Sequence, residues 1–597
     1  MISAIKTGLR ITLKNWITLL FFVITYKLIG FVLVVEFIDQ IKSSIFHMLG
    51  VSFLGQQNVG LVFQNPLAIL LLICIVLIIV YYVYLEIVAL ILYCEAGWQG
   101  NMISIWQLWK NAFLRSISFF RIKNLSVILA LIPLVGLSVL PLTYGFMNKL
   151  KIPEFILDYI SGSPKLHIVF AGCILVLNVL AFFYLFCLPD VIVQKKTYYG
   201  TPRSSAKLMK GKIIKTAVTL LGSVLAFIIL AIIITIACVL LLWMCSKVSA
   251  PADGGRSFFQ FYFTRWSSTG GIFFSALFPV SLYASVIVLY HQYRGDEIPP
   301  IQKPAHTLRY LLARSAAVVA AIVFLVFFSE TELGGNLYSV YRPSTEVIAH
   351  RAGAIFAPEN TLAALENSIQ AGADMAEIDV QQTRDGILII MHDSNFLRTT
   401  SFDQEVWETD FATVQTLDAG SSYSRAFAGE RIPTLEEMLA AAKGRIRLMI
   451  ELKASGHEHN LVEETVRQIN AAGMEQKCMI ASMNLELLQR SKALAPAIET
   501  VYITSLAFSE NFNLDYVDGY SVETSFLTLE MVTAIQSNQK KIYAWTANTD
   551  SNIQKIIRLG TDGLVTDNPS LANYYLMFFD QNHLVDDLSA LLYGSDE

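Results

Sequence analysis

Charged residues are scarce in this chain of 597 residues, where they make up 15% of the composition against 54% hydrophobic residues. Soluble domains usually contain about 25% charged residues, so the composition is not that of a soluble enzyme. The seven cysteines include no CxxC pair, and the sequence therefore indicates neither a zinc site nor a disulfide framework. The net charge of −4 at pH 7 argues neither for nor against a nucleic-acid partner. A basic arm and interleaved aromatic and basic residues are both absent, so we expect no nucleic-acid partner.

The shortage of charge is confined to one part of the chain. Long apolar runs continue to about residue 330, and ordinary globular composition follows. A short stretch with two adjacent glycines and a proline separates the two parts. We therefore predict a membrane domain over 1–330, a linker over 331–345 and a globular domain over 346–597.

Seven apolar stretches in the first region are each about long enough to cross a bilayer as a helix. They cover about 17–38, 67–93, 125–146, 167–189, 217–244, 270–291 and 312–328. Lysine and arginine accumulate before the first span and after the second, fourth and sixth, and such loops stay in the cytoplasm. The sequence thus predicts a multi-pass protein of the cell membrane whose globular domain lies outside the cytoplasm.

Eight short β runs, mostly separated by helical patterns, predict a β/α barrel in the globular domain. The strands are predicted at about 346–350, 375–380, 447–452, 478–482, 500–504, 518–522, 541–546 and 562–566. Helices are predicted at about 361–371, 434–443, 459–472, 484–494, 528–538 and 550–559. The link between the fifth and sixth strands is too short for an ordinary helix.

One further apolar run, 387–391, follows an Asp-Gly pair soon after the second strand. Asp-Gly is a hairpin turn signal, and neighbouring strands joined by a short turn are antiparallel. We therefore expect this run to open an insertion over about 381–433. A two-residue turn at the Asp-Gly pair would place His392 opposite Asp379, on the same face.

Acidic side chains lie at the C-terminal ends of two successive barrel strands. Glu377 and Asp379 are two residues apart and point to one side of their strand, and Glu451 ends the next barrel strand. Converging carboxylates repel each other, and a divalent cation relieves that conflict. Ligation by oxygen alone fits Mg²⁺ or Ca²⁺. The alternative, that Glu451 and Lys453 are a surface pair, is less favoured because barrel active sites lie at these strand ends.

Basic residues at the same strand ends complete a reactive set. His350 and His392 are candidates for acid/base catalysis because imidazole titrates near neutral pH, although a lone histidine at a strand end is more often structural. Arg351 has the planar donor geometry that suits a phosphate oxygen, and Lys453 would add a second positive charge there. The combination indicates acid/base catalysis on a metal-bound phosphate.

Three other residues have two interpretations each. Glu359 and Asn360 lie where a loop enters the first barrel helix, so they either support the pocket or cap that helix. Trp545 lies at the end of a late strand, where it either walls the pocket or belongs to the core.

The segment from about 345 to 575 resembles the glycerophosphodiester phosphodiesterases. The resemblance is carried by an ordered set of motifs, which are His350-Arg351, Pro358-Glu359-Asn360-Thr361, Glu377-Ile378-Asp379, Thr383-Arg384-Asp385-Gly386, His392-Asp393, Arg398-Thr399-Thr400, Glu451-Leu452-Lys453, Trp545-Thr546-Ala547-Asn548 and Asp562-Gly563-Leu564-Val565-Thr566-Asp567-Asn568-Pro569. Residues 1–330 resemble, by architecture, the multi-span membrane domain that is fused ahead of such enzymes in bacteria.

The resemblance implies a TIM barrel with a small insertion after the second strand, and hydrolysis of a glycerophosphodiester to glycerol 3-phosphate and an alcohol. It also implies attack by the glycerol 2-hydroxyl on phosphorus, followed by opening of a cyclic phosphate by water. The implied roles are an acid/base pair (His350, His392), three metal ligands (Glu377, Asp379, Glu451) and a phosphate ligand (Arg351). Glycine normally follows His-Arg in this family, whereas Ala352 stands here, which implies a narrower substrate range or weaker activity.

We therefore expect a membrane-anchored, metal-dependent phosphodiesterase. A purely soluble substrate needs no seven-span anchor, so the expected substrates include glycerophosphodiesters attached to lipid or to a polyglycerol-phosphate polymer, and membrane lipids are expected partners. Two alternatives stay open. One is a lysophospholipase D-type enzyme on the same scaffold, and the other is a lipid-handling or transport membrane protein whose barrel only binds glycerophosphodiesters.

Overall fold

The computed structural model of the chain describes residues 2–51, 53–54, 59–121, 124, 160, 163–249, 254–297, 345–505, 508–509 and 512–578. Within these residues the first half is almost entirely helical and the second half is a β/α barrel. The predicted spans 125–146 and 312–328 lie outside the described residues, as does the predicted linker apart from Thr345. The total of seven spans therefore stays a prediction.

Long apolar helices make up the first half. Four helical segments of the described residues are long and apolar enough to cross a membrane, and they are Trp16–Leu49, Pro66–Trp98, Pro164–Ile192 and Ile213–Lys247. Each contains one predicted span, and the predicted span 270–291 lies within the helix Gly254–Arg294. The helices of this half are Ile2–Lys14, Trp16–Ile29, Glu36–Leu49, Gly60–Gln64, Pro66–Trp98, Ile105–Ser116, Pro164–Phe183, Cys187–Ile192, Thr201–Met209, Ile213–Ser249 and Gly254–Arg294, with a π-helical turn at Gly30–Val35.

Polar contacts gather three helix ends at one end of this bundle. The Lys14 ammonium donates to the Gly100 carbonyl at 2.7 Å, and the Asn15 amide donates to the Ile103 carbonyl at 2.8 Å. The His291 Nε2 lies 2.8 Å from a Glu95 carboxylate oxygen. The N-terminus of the chain therefore shares an end with the C-terminal ends of Pro66–Trp98 and Gly254–Arg294.

Eleven strands are present among the described residues, and eight of them form the barrel. In chain order the strands are β1 (Phe53–Leu54), β2 (Glu346–Ala349), β3 (Met375–Gln382), β4 (Leu388–Ile390), β5 (Arg447–Leu452), β6 (Cys478–Ser482), β7 (Glu499–Thr504), β8 (Phe508–Ser509), β9 (Gly519–Glu523), β10 (Lys541–Trp545) and β11 (Gly563–Thr566). The parallel order β2-β11-β10-β9-β7-β6-β5-β3 closes through pairing of β2 with β3. The predicted eight-stranded barrel is thus confirmed, with strand ends shifted by two residues at most.

Helices surround the barrel at Leu362–Gln370, Leu435–Ala442, Leu461–Ala472, Leu485–Leu494, Leu529–Ser537, Asp550–Leu559 and Pro569–Phe578. Several begin at a threonine or asparagine whose side chain accepts a backbone N–H of the first turn, as Thr434 does in a capping box with Glu437. Their apolar faces bury a core against the outer faces of the strands. The short link after β7 contains no described helix and instead carries β8.

The barrel lumen follows from the two-residue period of the strands. Ile348, Met375, Met449, Tyr543 and other apolar side chains fill it from alternate positions. Glu377 and Asp379 lie two and four positions beyond Met375, and Glu451 lies two positions beyond Met449. Their side chains must therefore also point into the lumen, at its C-terminal end. The polar site is built on that apolar floor.

The predicted hairpin after β3 is present, because β4 pairs antiparallel with it. The predicted register was wrong by one residue: Val380 lies opposite Ile390, so Asp379 lies opposite Met391 and not opposite His392. The reason is the length of the turn. The Thr383 backbone N–H donates to the Ile387 carbonyl, which leaves three residues in the turn, and Gly386 adopts a left-handed φ of 86°. A three-residue turn with a glycine bulge uses one more residue than a two-residue turn.

The segment between β4 and the helix Leu435–Ala442 forms a small subdomain. The short helices Leu397–Thr400 and Phe411–Val414 pack with β4 around a separate apolar cluster that includes Ile389, Phe396 and Val414. This cluster fixes the segment that carries His392 to Arg398 against the C-terminal face of the barrel.

Candidate active site

Three carboxylates meet at the C-terminal end of the lumen. Glu377 and Asp379 project from β3, and Asp379 is the direct neighbour of Glu451 on β5 in the sheet register. One oxygen from each of the three side chains can be chosen so that all lie within 4.8 Å of one another, and all three residues are buried. The predicted grouping of Glu377, Asp379 and Glu451 is therefore what the structure shows.

Lys453 partly offsets the charge of this carboxylate cluster. Its ammonium lies 2.8 Å from Asp379 Oδ1 and 2.8 Å from Glu451 Oε1. Burial opposes ionisation of Asp379, but Lys453, His392 and Arg351 outweigh it and hold the pKa of that carboxyl well below its usual range. Burial, together with the charge of Asp379, raises the pKa of Glu377. One lysine thus does not fully stabilise three ionised carboxylates.

Glu377 retains an unused ligand atom. Its Oε2 accepts the backbone N–H of Arg351 at 2.8 Å, whereas its buried Oε1 forms no hydrogen bond within the described residues. A buried carboxylate oxygen without a partner is costly. A cation held by oxygens of Glu377, Asp379 and Glu451 would satisfy it, and an all-oxygen donor set fits Mg²⁺ or Ca²⁺.

His350 follows β2 and is held by an aspartate from the other end of the domain. Its Nδ1 lies 2.7 Å from Asp567 Oδ1, just after β11. Asn548 donates from its side-chain amide to the second oxygen of Asp567. Burial disfavours the imidazolium, but Asp567 overrides this effect and raises the pKa of His350. With Nδ1 bonded to a carboxylate, Nε2 is the nitrogen left for proton exchange with a substrate.

His392 has a parallel arrangement. Its Nδ1 lies 2.7 Å from Asp393 Oδ1. Arg398 donates to both oxygens of Asp393 and to both oxygens of Glu359. The Arg351 guanidinium also donates to Glu359, at 3.1 Å. Glu359 is therefore a bridge between two arginines and not a helix cap.

The turn after β2 has unusual backbone geometry. Arg351, Ala352 and Gly353 have successive φ values of 50°, 61° and 98°. A residue with a Cβ in the left-handed region costs about 1–2 kcal/mol, so the surrounding contacts must impose this turn. One such contact is the Ser368 hydroxyl, which donates to the Ala352 carbonyl at 2.6 Å. The Ala352 methyl group is buried in the barrel core.

Asn360 and Trp545, each of which had two interpretations from the sequence, make definite contacts in the structure. Asn360 donates to Asp379 Oδ2 at 2.7 Å and accepts the Asp379 backbone N–H, while Thr361 caps the helix Leu362–Gln370. Trp545 is half-buried beside the apolar floor of the lumen and donates from its indole to the Ser521 carbonyl at 3.0 Å.

A cavity of about 350 Å³ opens beside the carboxylate cluster. Its lining joins the insertion, the end of β5 and the start of the segment after β6, and it consists of Gln381, His392, Ser394, Glu451, Leu452, Lys453, Ala454, Ser455, Ser482, Met483 and Asn484. This volume fits a small organic phosphate.

Sequence reasoning missed three residues that bond to the site, and they are Asp393, Arg398 and Asp567. Each lies inside a motif quoted above, but the partner of Asp567 is 217 positions away along the chain. The available signal was position, because Asp567 directly follows the last barrel strand and Asp393 directly follows a proposed catalytic histidine.

Comparisons with known proteins agree with both halves of the chain. Residues 5–328 match the family described as the membrane domain of glycerophosphoryl diester phosphodiesterase. Residues 350–571 match the glycerophosphoryl diester phosphodiesterase family.

Individual relatives match the second half. A glycerophosphodiester phosphodiesterase of Caldanaerobacter subterraneus subsp. tengcongensis is 32% identical over 230 residues, covering 38% of this chain and 95% of the relative. One of Bacillus altitudinis is 32% identical over 236 residues, covering 38% of this chain and 96% of the relative. A solved structure, an Oleispira antarctica phosphodiesterase in complex with the product sn-glycerol-3-phosphate, is 31% identical with a TM-score of 0.35 and covers 39% of this chain and 96% of that chain.

We predict that Asp567→Asn shifts one limb of the pH–activity profile to lower pH by about one unit. The Asp567 carboxylate raises the pKa of His350, so its removal lowers that pKa and His350 loses its proton at a lower pH. The measurement is kcat between pH 5 and 9 for both proteins. An unchanged profile, or a shift to higher pH, would contradict a positioning role for Asp567.

Proposed function

The chain belongs to the glycerophosphoryl diester phosphodiesterase family, and from this premise we propose a metal-dependent, membrane-anchored hydrolysis of glycerophosphodiesters to glycerol 3-phosphate and an alcohol. The observation that carries the proposal is the convergence of two histidine–aspartate pairs and a buried cluster of three carboxylates on one end of the barrel lumen. Acid/base catalysis on a phosphodiester needs these groups.

Glu377, Asp379 and Glu451 would hold a divalent cation. The unpartnered Glu377 Oε1 and the raised pKa of Glu377 support this assignment. A bound cation would give the oxygen a partner and would stabilise the ionised carboxylate. When bound, such an ion would stabilise negative charge on the phosphoryl oxygens. Ca²⁺ is favoured over Mg²⁺ if the site faces the outside of the cell, because Ca²⁺ is abundant there.

Arg351 is suited to orient the phosphate. Its Nε is buried and forms no hydrogen bond within the described residues, and Glu359 fixes the other side of the guanidinium. Lys453 supplies a second positive charge at the rim of the cavity. Two fixed cations reduce the repulsion between a substrate phosphate and the carboxylate cluster.

The two histidines would exchange roles between two steps. In the first, one imidazole takes the proton of the glycerol 2-hydroxyl as its oxygen bonds to phosphorus, and the other protonates the alcohol as the phosphorus–oxygen bond to it breaks. In the second, water adds to phosphorus and the bond to the 2-oxygen breaks, with the proton transfers reversed. The product is glycerol 3-phosphate. The aspartate on each Nδ1 keeps Nε2 directed at the reacting oxygens.

The barrel would lie outside the cytoplasm. The first helix ends at Lys14, whose ammonium bonds to the Gly100 carbonyl just after the helix Pro66–Trp98. The same end of the bundle carries Lys212 and Arg294, since His291 bonds to Glu95 and Lys212 bonds to the Tyr293 carbonyl. The opposite end of Trp16–Leu49 leads to β1, which pairs with β8 of the catalytic half. Because positive loops remain in the cytoplasm, this pairing supports a barrel on the other side of the membrane.

We predict that Glu377→Gln abolishes detectable binding of Ca²⁺ or Mg²⁺ and lowers kcat by at least about a hundredfold. Calorimetric titration of the purified full chain with each metal, after chelation, provides the measurement. The matched control is Glu366→Gln, which removes an exposed carboxylate that pairs with Arg445 on the outside of the barrel. Metal binding by Glu377→Gln equal to that of the control would contradict the assignment.

Cysteine labelling reports on which side of the membrane the barrel lies. In a variant without native cysteines, a membrane-impermeant maleimide should label Lys477→Cys, on the exposed surface of the barrel, in intact cells. Lys210→Cys, exposed after the helix Thr201–Met209, should react only after permeabilisation. The reverse labelling pattern would place the barrel in the cytoplasm.

A further inference from the structure

A two-stranded pairing joins the two halves of the chain. The strand β1 from the membrane domain runs antiparallel to β8 from the catalytic domain, with Phe53 opposite Ser509 and Leu54 opposite Phe508. Addition of a strand from one unit to a strand of another is a recognised mode of docking, because backbone hydrogen bonds join the two units without a specific side-chain sequence.

The membrane side of this pairing is anchored to apolar helices. Leu54 is buried and packs with Ile45, Phe46, Val62 and Ala68. These neighbours belong to the end of Trp16–Leu49, the short helix Gly60–Gln64 and the start of Pro66–Trp98. The position of β1 is therefore fixed by the ends of two candidate membrane-spanning segments.

The catalytic side is anchored to the barrel. The strand β8 lies between Thr504, the last residue of β7, and Phe512, whose ring packs on Tyr520 of β9 at a centroid distance of 5.3 Å. Both ends of the connection are buried in the barrel. Thr504 and Phe512, which lie on either side of β8, therefore belong to the buried part of the barrel.

Strand β7, which precedes β8, ends on the face of the barrel that carries the candidate active site. Strand β7 is parallel to β6 and hydrogen-bonded to it. Ser482 at the end of β6, with Met483 and Asn484 after it, lines the cavity beside the carboxylate cluster. Strand β8, which pairs with β1, therefore follows β7, and β7 is the direct neighbour of β6, whose end lines the cavity.

We propose that pairing of β1 with β8 docks the membrane domain on the rim of the active-site cavity and directs the cavity mouth to the bilayer surface. The substrate class that fits this orientation is a glycerophosphodiester whose glycerol carries an acyl chain held in the membrane, as in a lysophospholipid. Hydrolysis would release the head-group alcohol and leave 1-acylglycerol 3-phosphate in the bilayer. The inference rests on the proposed function and specifies its substrate. A two-residue ladder contains few hydrogen bonds, so a single substitution is enough to break it.

Cross-linking tests the docking without reference to activity. In the full chain without native cysteines, Phe53→Cys with Ser509→Cys should form a disulfide on mild oxidation, since directly paired residues have the required spacing. The control pair is Phe53→Cys with Lys477→Cys, because Lys477 precedes β6 at the opposite end of the barrel. Absence of the first cross-link, or equal yields in both pairs, would overturn the docking.

Turnover tests the substrate assignment. Ser509→Pro removes a backbone N–H from β8, whereas Ser509→Ala keeps it. With 1-acyl-glycerophosphoethanolamine in phosphatidylcholine vesicles, kcat/KM of the full chain should fall about tenfold in Ser509→Pro but not in Ser509→Ala. With soluble glycerophosphoethanolamine, both variants should stay within about twofold of the unmodified chain.

Each remaining outcome decides one of the two proposals. Equal losses for both substrates, or no loss with vesicles, would overturn the substrate assignment made here. If the unmodified chain hydrolysed neither substrate, the proposed function would fail and the substrate assignment with it, while the cross-link yield would still decide whether the docking exists.

Discussion

Repulsion among three buried carboxylates is the interaction on which the site depends. Glu377, Asp379 and Glu451 are brought together by strand register alone, because Asp379 and Glu451 are cross-strand neighbours and Glu377 is two residues earlier on the same face. Lys453 relieves part of the repulsion and leaves Glu377 with a raised pKa. This unresolved charge is the physical reason for the proposal that a cation binds at the end of the lumen.

The two histidines depend on carboxylates of a different kind. Asp567 and Asp393 each bond to one Nδ1, so both imidazole rings have a defined orientation. Glu359 connects Arg351 to Arg398, and Arg398 connects in turn to Asp393. Arg351 and His392 therefore belong to one hydrogen-bonded network, and a change in Glu359 would affect both.

The sequence predicted the features that follow from local pattern. Alternating apolar residues and turn signals located all eight barrel strands, and a period of two placed Glu377 and Asp379 on one face. Features that depend on detailed geometry were not predictable. The glycine bulge at Gly386 shifted the hairpin register by one residue, and the Asp567–His350 pair spans 217 positions. The two-residue β1–β8 pairing has no periodic signal.

The proposed reaction requires that the two imidazoles beside the carboxylate cluster carry protons. Turnover of glycerophosphoethanolamine by the full chain, measured for His350→Ala and for His392→Ala alongside calorimetric binding of glycerol 3-phosphate, tests this directly. We expect a loss of at least about a hundredfold in kcat for each variant, with product affinity largely retained. Undiminished turnover in either variant would contradict it.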